Sequence, residues 1–124
     1  MKNFLQDVAR RAERKINDSG SVAGIKKHAY AARLIERYQR RYGPVGRGLS
    51  MEQSYLEGMY LGRSANLKGS VRLDVVEGSA YTPTAVYDFK FITTSNPALS
   101  QRRIRNIQSN AGLLPTTPIE VIHP

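Results

Sequence analysis

The pattern of apolar and charged residues in this 124-residue chain predicts an α/β fold, a mixed sheet flanked by helices. Three observations carry that expectation. Residues 3–16 and 22–42 repeat apolar side chains at helical spacing. Residues 71–91 alternate apolar and charged positions, as two strands joined by a short loop do. Residues 101–111 return to helical spacing ahead of a last apolar run at 119–122.

In the first segment Leu5, Val8, Ala12 and Ile16 form the apolar stripe, with Arg10, Arg11, Arg14 and Lys15 elsewhere around the helix. Asn17-Asp18-Ser19-Gly20 ends it. The second helix, 22–42, is expected to turn Ile25, Ala29, Ala32, Ile35 and Tyr38 or Tyr42 inward, and Gly43-Pro44 stops it. The next stretch, RGLSMEQSYLEGMYLGR, reads two ways. Ser50 and Gln53 have capping-box spacing, which favours a short helix from Met51. Alternatively, Tyr55–Leu61 forms a strand bent at Gly58.

The hairpin follows. In its first strand Val71, Leu73 and Val75 share one face, and Arg72, Asp74 and Val76 the other. In its second, Ala85, Tyr87, Phe89 and Phe91 are the apolar face, opposite Val86, Asp88 and Lys90. The segment TTSNPAL is expected as a loop, Ser100 as a helix N-cap, and Gly112 as the end of a helix that buries Ile104, Ile107 and Ala111. Ile119–Ile122 is the closing strand.

Composition narrows the function classes. No cysteine is present, so disulfides and thiolate metal ligands are excluded. No apolar run reaches bilayer length, and Met1 is followed by a charged amphipathic segment unlike a signal peptide. The chain is expected to be cytosolic or a piece of a larger exported protein. Its net charge of +9 is uneven. Residues 1–49 hold 12 basic against 4 acidic side chains, 12 − 4 = +8, and residues 50–124 hold 7 against 6, 7 − 6 = +1. A basic flank beside a near-neutral half suits a polyanion, nucleic acid first, or else is a solvated surface.

Asp74, then Asp88 and Lys90 two residues apart, is the constellation that carries chemistry. Carboxylates are depleted in strands, yet two are expected on one strand face here, with a lysine beside them. Two carboxylates on adjacent strands can share a hard divalent cation that also binds phosphate oxygens. An ammonium two residues along points to the same face, where it can orient a water or neutralise an anionic transition state. The competing reading is a cross-strand ion pair with no function.

The order of segments narrows this further. HAYAARLIERYQRRYG, RGLSMEQSYLEG, KGSVRLDVVEG, PTAVYDFKF, the ALSQRRIRNI helix and the closing PIEVIHP together resemble nuclease toxin domains of bacterial polymorphic toxins and type VI secretion effectors. These belong to the PD-(D/E)xK, or restriction-endonuclease-like, superfamily. The resemblance covers residues 25–124, although Leu73 stands where the motif's proline would be. It implies a core of helix, three-stranded meander, helix and strand in residues 22–124, with residues 1–21 an extra N-terminal helix or linker. It also implies a Mg²⁺- (or Mn²⁺-) dependent deoxyribonuclease, delivered into the cytoplasm of a competing cell and neutralised in the producer by an acidic immunity protein.

By this resemblance Asp74 and Asp88, with the Phe89 carbonyl, hold the metal, and Lys90 activates the water. The upstream acid is Glu52, preferred over Glu36 on the preceding helix, with Glu57 behind both. Arg37, Arg40, Arg41, Arg72, Arg102 and Arg103 are the expected nucleic-acid contacts. An RNase of the same fold and a non-catalytic nucleic-acid-binding module are the alternatives. His28 and His123 lack metal-ligand spacing and read as structural or exposed.

Overall fold

The computed structural model describes residues 1–18, 20–91 and 99–124. Within them α1 (Lys2–Lys15), α2 (Ser21–Tyr42), β1 (Leu49–Leu56), β2 (Met59–Arg63), β3 (Val71–Gly78), β4 (Pro83–Phe89), α3 (Gln101–Ala111) and β5 (Ile119–Ile122) follow in order. The five strands form one sheet in the order β2-β1-β3-β4-β5. The first four pair antiparallel, while β5 joins β4 in parallel. A parallel neighbour cannot be reached by a tight turn, so α3 lies in the crossover between β4 and β5. The expected TTSNPAL loop lies largely outside the described residues.

Both faces of the sheet are covered. On one, Leu5, Val8, Ala9 and Ala12 of α1 and Ala31, Ala32 and Ile35 of α2 pack against Leu49, Met51, Val75, Tyr87 and Phe89. On the other, Ile107 and Ala111 of α3 pack against Tyr55, Val71, Leu73, Val76 and Val86. The N-terminal helix thus shares the main core. It is tied to α2 by the buried Lys27 ammonium, 2.9 Å from Oε1 of Glu13.

The division into two clusters corrects the simple alternation expected of β3. Leu73 and Val75, two residues apart, pack on opposite faces. The switch falls where β1 and β3 meet at Glu52 and Asp74. Met51 pairs with Val75 and Gln53 with Leu73, but no pairing forms at the position between them. Glu52 there has φ 58°, a left-handed conformation rare outside glycine. One irregular residue therefore interrupts the ladder and lets the strand pair exchange its faces.

The stretch from Ser50 is a hairpin, so the short helix expected at Met51 does not form. Glu57 and Gly58, with φ of 50° and 82°, make a two-residue turn between β1 and β2. Positive φ at both central residues is the turn geometry that matches the twist of a hairpin. Gln53, read as a capping partner, is instead buried and donates to the Met51 carbonyl at 2.6 Å. The turn is pinned to α3: Asn110 accepts the Glu57 and Gly58 amides through its side-chain and backbone oxygens, at 2.9 and 2.8 Å.

The inward stripe of α2 also differs from expectation. Ala23, Lys27, Ala31, Ala32 and Ile35 are buried, whereas Ile25 is 71 % exposed and Tyr38 and Tyr42 lie on the surface. Small residues let α2 sit close to both α1 and the sheet, and Ile25 falls beyond the covered area, on the rim of a cleft. α3 begins and ends as expected, with Ser100 Oγ accepting the Arg103 amide and Gly112 left-handed at φ 63°.

Candidate functional site

The strands β3 and β4 part company at Asp74 and Asp88. Their register runs from Gly78↔Pro83 to Val75↔Tyr87 and stops there, whereas β4 stays paired to β5 through Phe89↔Ile122. The Phe89 amide donates instead to Oδ2 of Asp74 at 2.8 Å. A side-chain carboxylate takes over from the ladder, and a cleft opens in the fork.

That cleft holds about 510 Å³ of open space. Asp74, Asp88, Lys90 and Glu52 line it together with Arg72 and His28. Both aspartates are mostly buried, with side chains 19 % and 15 % exposed. Burial first, and the negative charge and hydrogen bond of Asp74 next, push the Asp88 carboxyl up to about 7. The Arg103 guanidinium, 3.9 Å away on α3, works against that rise. Arg103 also reaches the Arg72 carbonyl at 3.4 Å, which ties α3 to the strand that carries Asp74.

His28 is the residue that sequence reasoning missed. Its Nδ1 lies 2.8 Å from the Gly24 carbonyl, and its Nε2 lies 3.2 Å from the Phe89 carbonyl and 3.3 Å from Oδ2 of Asp74. Each ring nitrogen faces an acceptor, and only the doubly protonated ring can donate at both. Burial opposes the charge, but the hydrogen bond and charge of Asp74, with the two carbonyls, outweigh it and raise the ring to about 9. The signal in the sequence was its spacing, one turn before Ala32 and two before Ile35.

Glu52 enters the cleft from β1 rather than from a helix. It lies between Met51 and Gln53, whose partners Val75 and Leu73 flank Asp74, and its Oε2 lies 3.3 Å from Nη2 of Arg63. Nη1 of the same guanidinium pairs with Glu36, whose carboxylate lies in a separate groove with Gln39 and Arg40. Arg63 thus links the two acids that competed for one role, and only Glu52 borders the cleft. Glu57 is spent in the β1–β2 turn.

The basic residues divide. Arg72 and Arg103 stand at the fork. Arg37 and Arg41 line a different groove, between α1 and α2, and Arg40 sits beside Glu36. Arg102 is exposed on α3, and His123 borders no part of the cleft.

The donor chemistry at the fork fits a hard divalent cation: two crowded carboxylates, one of them reluctant to ionise, beside a backbone carbonyl. Among the described residues no group of three His, Cys, Asp or Glu side chains gathers as a ligand set. Asp74, Asp88 and the Phe89 carbonyl would be the donors for such an ion at the fork. Among the described residues no helix is long and apolar enough to cross a membrane. No family model matches the chain, and neither the curated proteins nor the solved structures provide a match.

Proposed function

We propose that this domain is a divalent-cation-dependent deoxyribonuclease of PD-(D/E)xK type, the toxic part of an effector delivered into competing bacteria. The observation that carries the reading is the strand fork. It sets Asp74, Asp88 and Lys90 along one cleft, with guanidinium groups at its edge. The sequence resemblance adds the preference for DNA and the expectation of an acidic immunity protein, which would suit the +9 charge.

In this reading Asp74 and Asp88, with the Phe89 carbonyl, hold a Mg²⁺ or Mn²⁺ ion. Such an ion, when bound, supplies Lewis acidity towards a phosphodiester oxygen. The chain's own groups do the rest. Lys90 orients the attacking water and neutralises charge that develops on the phosphate. Arg72 and Arg103 hold the strand by its phosphates, which positions it without contributing to the bond-breaking step. His28 is a positioning residue: its two ring nitrogens fix the Phe89 carbonyl and the Asp74 carboxylate relative to α2. Glu52, braced by Arg63, completes the acidic side of the cleft.

The test incubates purified protein with plasmid DNA, linear DNA and RNA, in Mg²⁺ or in EDTA. Cleavage of DNA that needs Mg²⁺ and disappears in Asp88→Ala is expected. Cleavage of RNA alone would reassign the substrate. Salt-sensitive DNA binding without any cleavage, unchanged when both aspartates are replaced, would leave only a binding module.

A further inference from the structure

The groove between α1 and α2, lined by Arg37 and Arg41, stands apart from the cleft at the fork. It has about 570 Å³ of open space and shares no lining residue with the cleft. Tyr38 stands ten residues after His28, about 15 Å further along the axis of α2. Three aromatic rings run through it. Phe4 meets Tyr38 edge-on with centroids 5.0 Å apart, and Tyr38 meets Tyr42 at 4.8 Å with the planes tilted by 45°. Phe4 packs against the core, and the two tyrosines are open to solvent: Tyr38 is 42 % and Tyr42 66 % exposed.

Guanidinium groups flank the rings. Arg41 lies over the Tyr42 ring, 5.4 Å from its centroid, and donates from Nε to the Tyr42 hydroxyl at 3.1 Å. Arg37 and Arg11 line the same groove. The one acid there, Asp7, is already paired with Arg11 at 3.1 Å, which leaves the charge of Arg37 and Arg41 uncompensated within the groove. Buried tyrosines would belong to the core, and lone arginines to solvation. A row of exposed rings interleaved with unneutralised cations fits neither account.

We propose that this groove binds a single-stranded nucleic-acid segment, its bases stacked on Tyr38 and Tyr42 and its phosphates held by Arg37 and Arg41. The match is one of repeat and chemistry, because a single strand offers flat π faces and negative charges in alternation. An acidic protein surface would satisfy the charges but would leave the tyrosine faces unused. The proposal deepens the nucleic-acid reading of the domain by giving it a second contact, remote from the cleft. A substrate with an unpaired tail would be gripped along α2 while its phosphodiester lies in the fork.

The experiment reads binding and not cleavage, so its failure is separable from failure of the nuclease reading. The full chain is titrated in EDTA against fluorescent oligothymidylate, an abasic oligomer of the same length, and a polyglutamate peptide. Tyr42→Ala is expected to weaken oligothymidylate binding about tenfold, the loss of one stacked base. Tyr42→Phe keeps the ring and is expected to bind as the parent does. Tyr42 is largely exposed, so neither change threatens folding. Arg37→Ala is expected to weaken both oligomers and to lower the slope of affinity against salt. Equal affinity for the abasic oligomer, or no effect of Tyr42→Ala, overturns the proposal. So does tighter binding of polyglutamate that depends on Tyr42, which would make the groove an acidic-protein site.

Discussion

His28 and Asp74, one on α2 and one on β3, stand 3.3 Å apart from Nε2 to Oδ2. The contact joins the helical layer to the point where the sheet opens, and the same carboxylate oxygen accepts the Phe89 amide. One aspartate therefore replaces a missing ladder bond and faces a half-buried ring.

That pairing sets how stability should vary with pH. His28 is raised from 6.5 to about 9 in the folded protein. Its contribution is full below 6.5 and is lost as pH rises through about 9. Asp88 is raised from 3.8 to about 7, so the folded state again holds the proton more tightly. Its contribution is full at low pH and is lost as pH rises through about 7. Both signs agree. Thermal melts in EDTA are expected to show a lower Tm at pH 9 than at pH 6.5, with His28→Gln flattening that window. An unchanged slope in His28→Gln would show that the ring is not held as described.

The cleft residues should separate chemistry from folding. Lys90→Ala is expected to slow DNA cleavage by about 10²–10³-fold, the loss of one group that stabilises transition-state charge. Asp88→Asn should remove cleavage while raising metal-free stability above pH 7, because it deletes the crowded carboxylate. Cleavage assays on matched samples, with circular dichroism to verify the fold, read both effects. Full activity in Asp88→Asn sinks the site assignment.

Much of this was legible in the chain because periodicity carried it. Residues 101–111, with Ser100 and Gly112 at the ends, and Ile119–Ile122 declare themselves by spacing and caps. Asp74, Asp88 and Lys90 fall near one another because they lie at the same end of one hairpin, although the alternation of β3 breaks at Asp74 itself. The β1–β2 hairpin was harder. Its turn is Glu57-Gly58, and a glutamate at φ 50° is not the asparagine or aspartate that usually announces such turns. The face switch at Glu52 and Asp74 has no local signature, since it arises from pairing between distant strands. His28 escaped for a similar reason: two of its partners are backbone carbonyls, which leave no mark in composition.

The tie between α1 and α2 permits a test of charge burial. Lys27 has a side chain only 5 % exposed and pairs with Glu13, which is 41 % exposed. Removing the acid alone leaves a buried ammonium without its partner, so Glu13→Ala is expected to destabilise by about 1–3 kcal/mol. Replacing the pair together, Lys27→Met with Glu13→Gln, removes both charges and nearly keeps the volume, and should be neutral or stabilising. Urea unfolding of both variants checks the contrast. A large loss in the double variant would show that the pair does more than fill the space between the helices.

Glu52 offers the sharpest separation of backbone from side chain. At φ 58° a non-glycine residue is strained by roughly 1 kcal/mol or more, and such strain persists where the surroundings impose it. Glycine at this position relieves the strain but raises the entropy of the unfolded chain, so Glu52→Gly should leave Tm nearly unchanged. It also removes the carboxylate that pairs with Arg63. Glu52→Gln keeps shape and strain but discards the charge. If the carboxylate is what the fold preserves, both variants lose about a hundredfold in cleavage rate, within the range for residues that orient a metal site. Glu36→Gln removes the other anchor of Arg63 and lies outside the cleft, so its effect on rate should be much smaller. Equal losses in Glu36→Gln and Glu52→Gln would instead make the Arg63 bridge, and not the Glu52 carboxylate, the feature that matters.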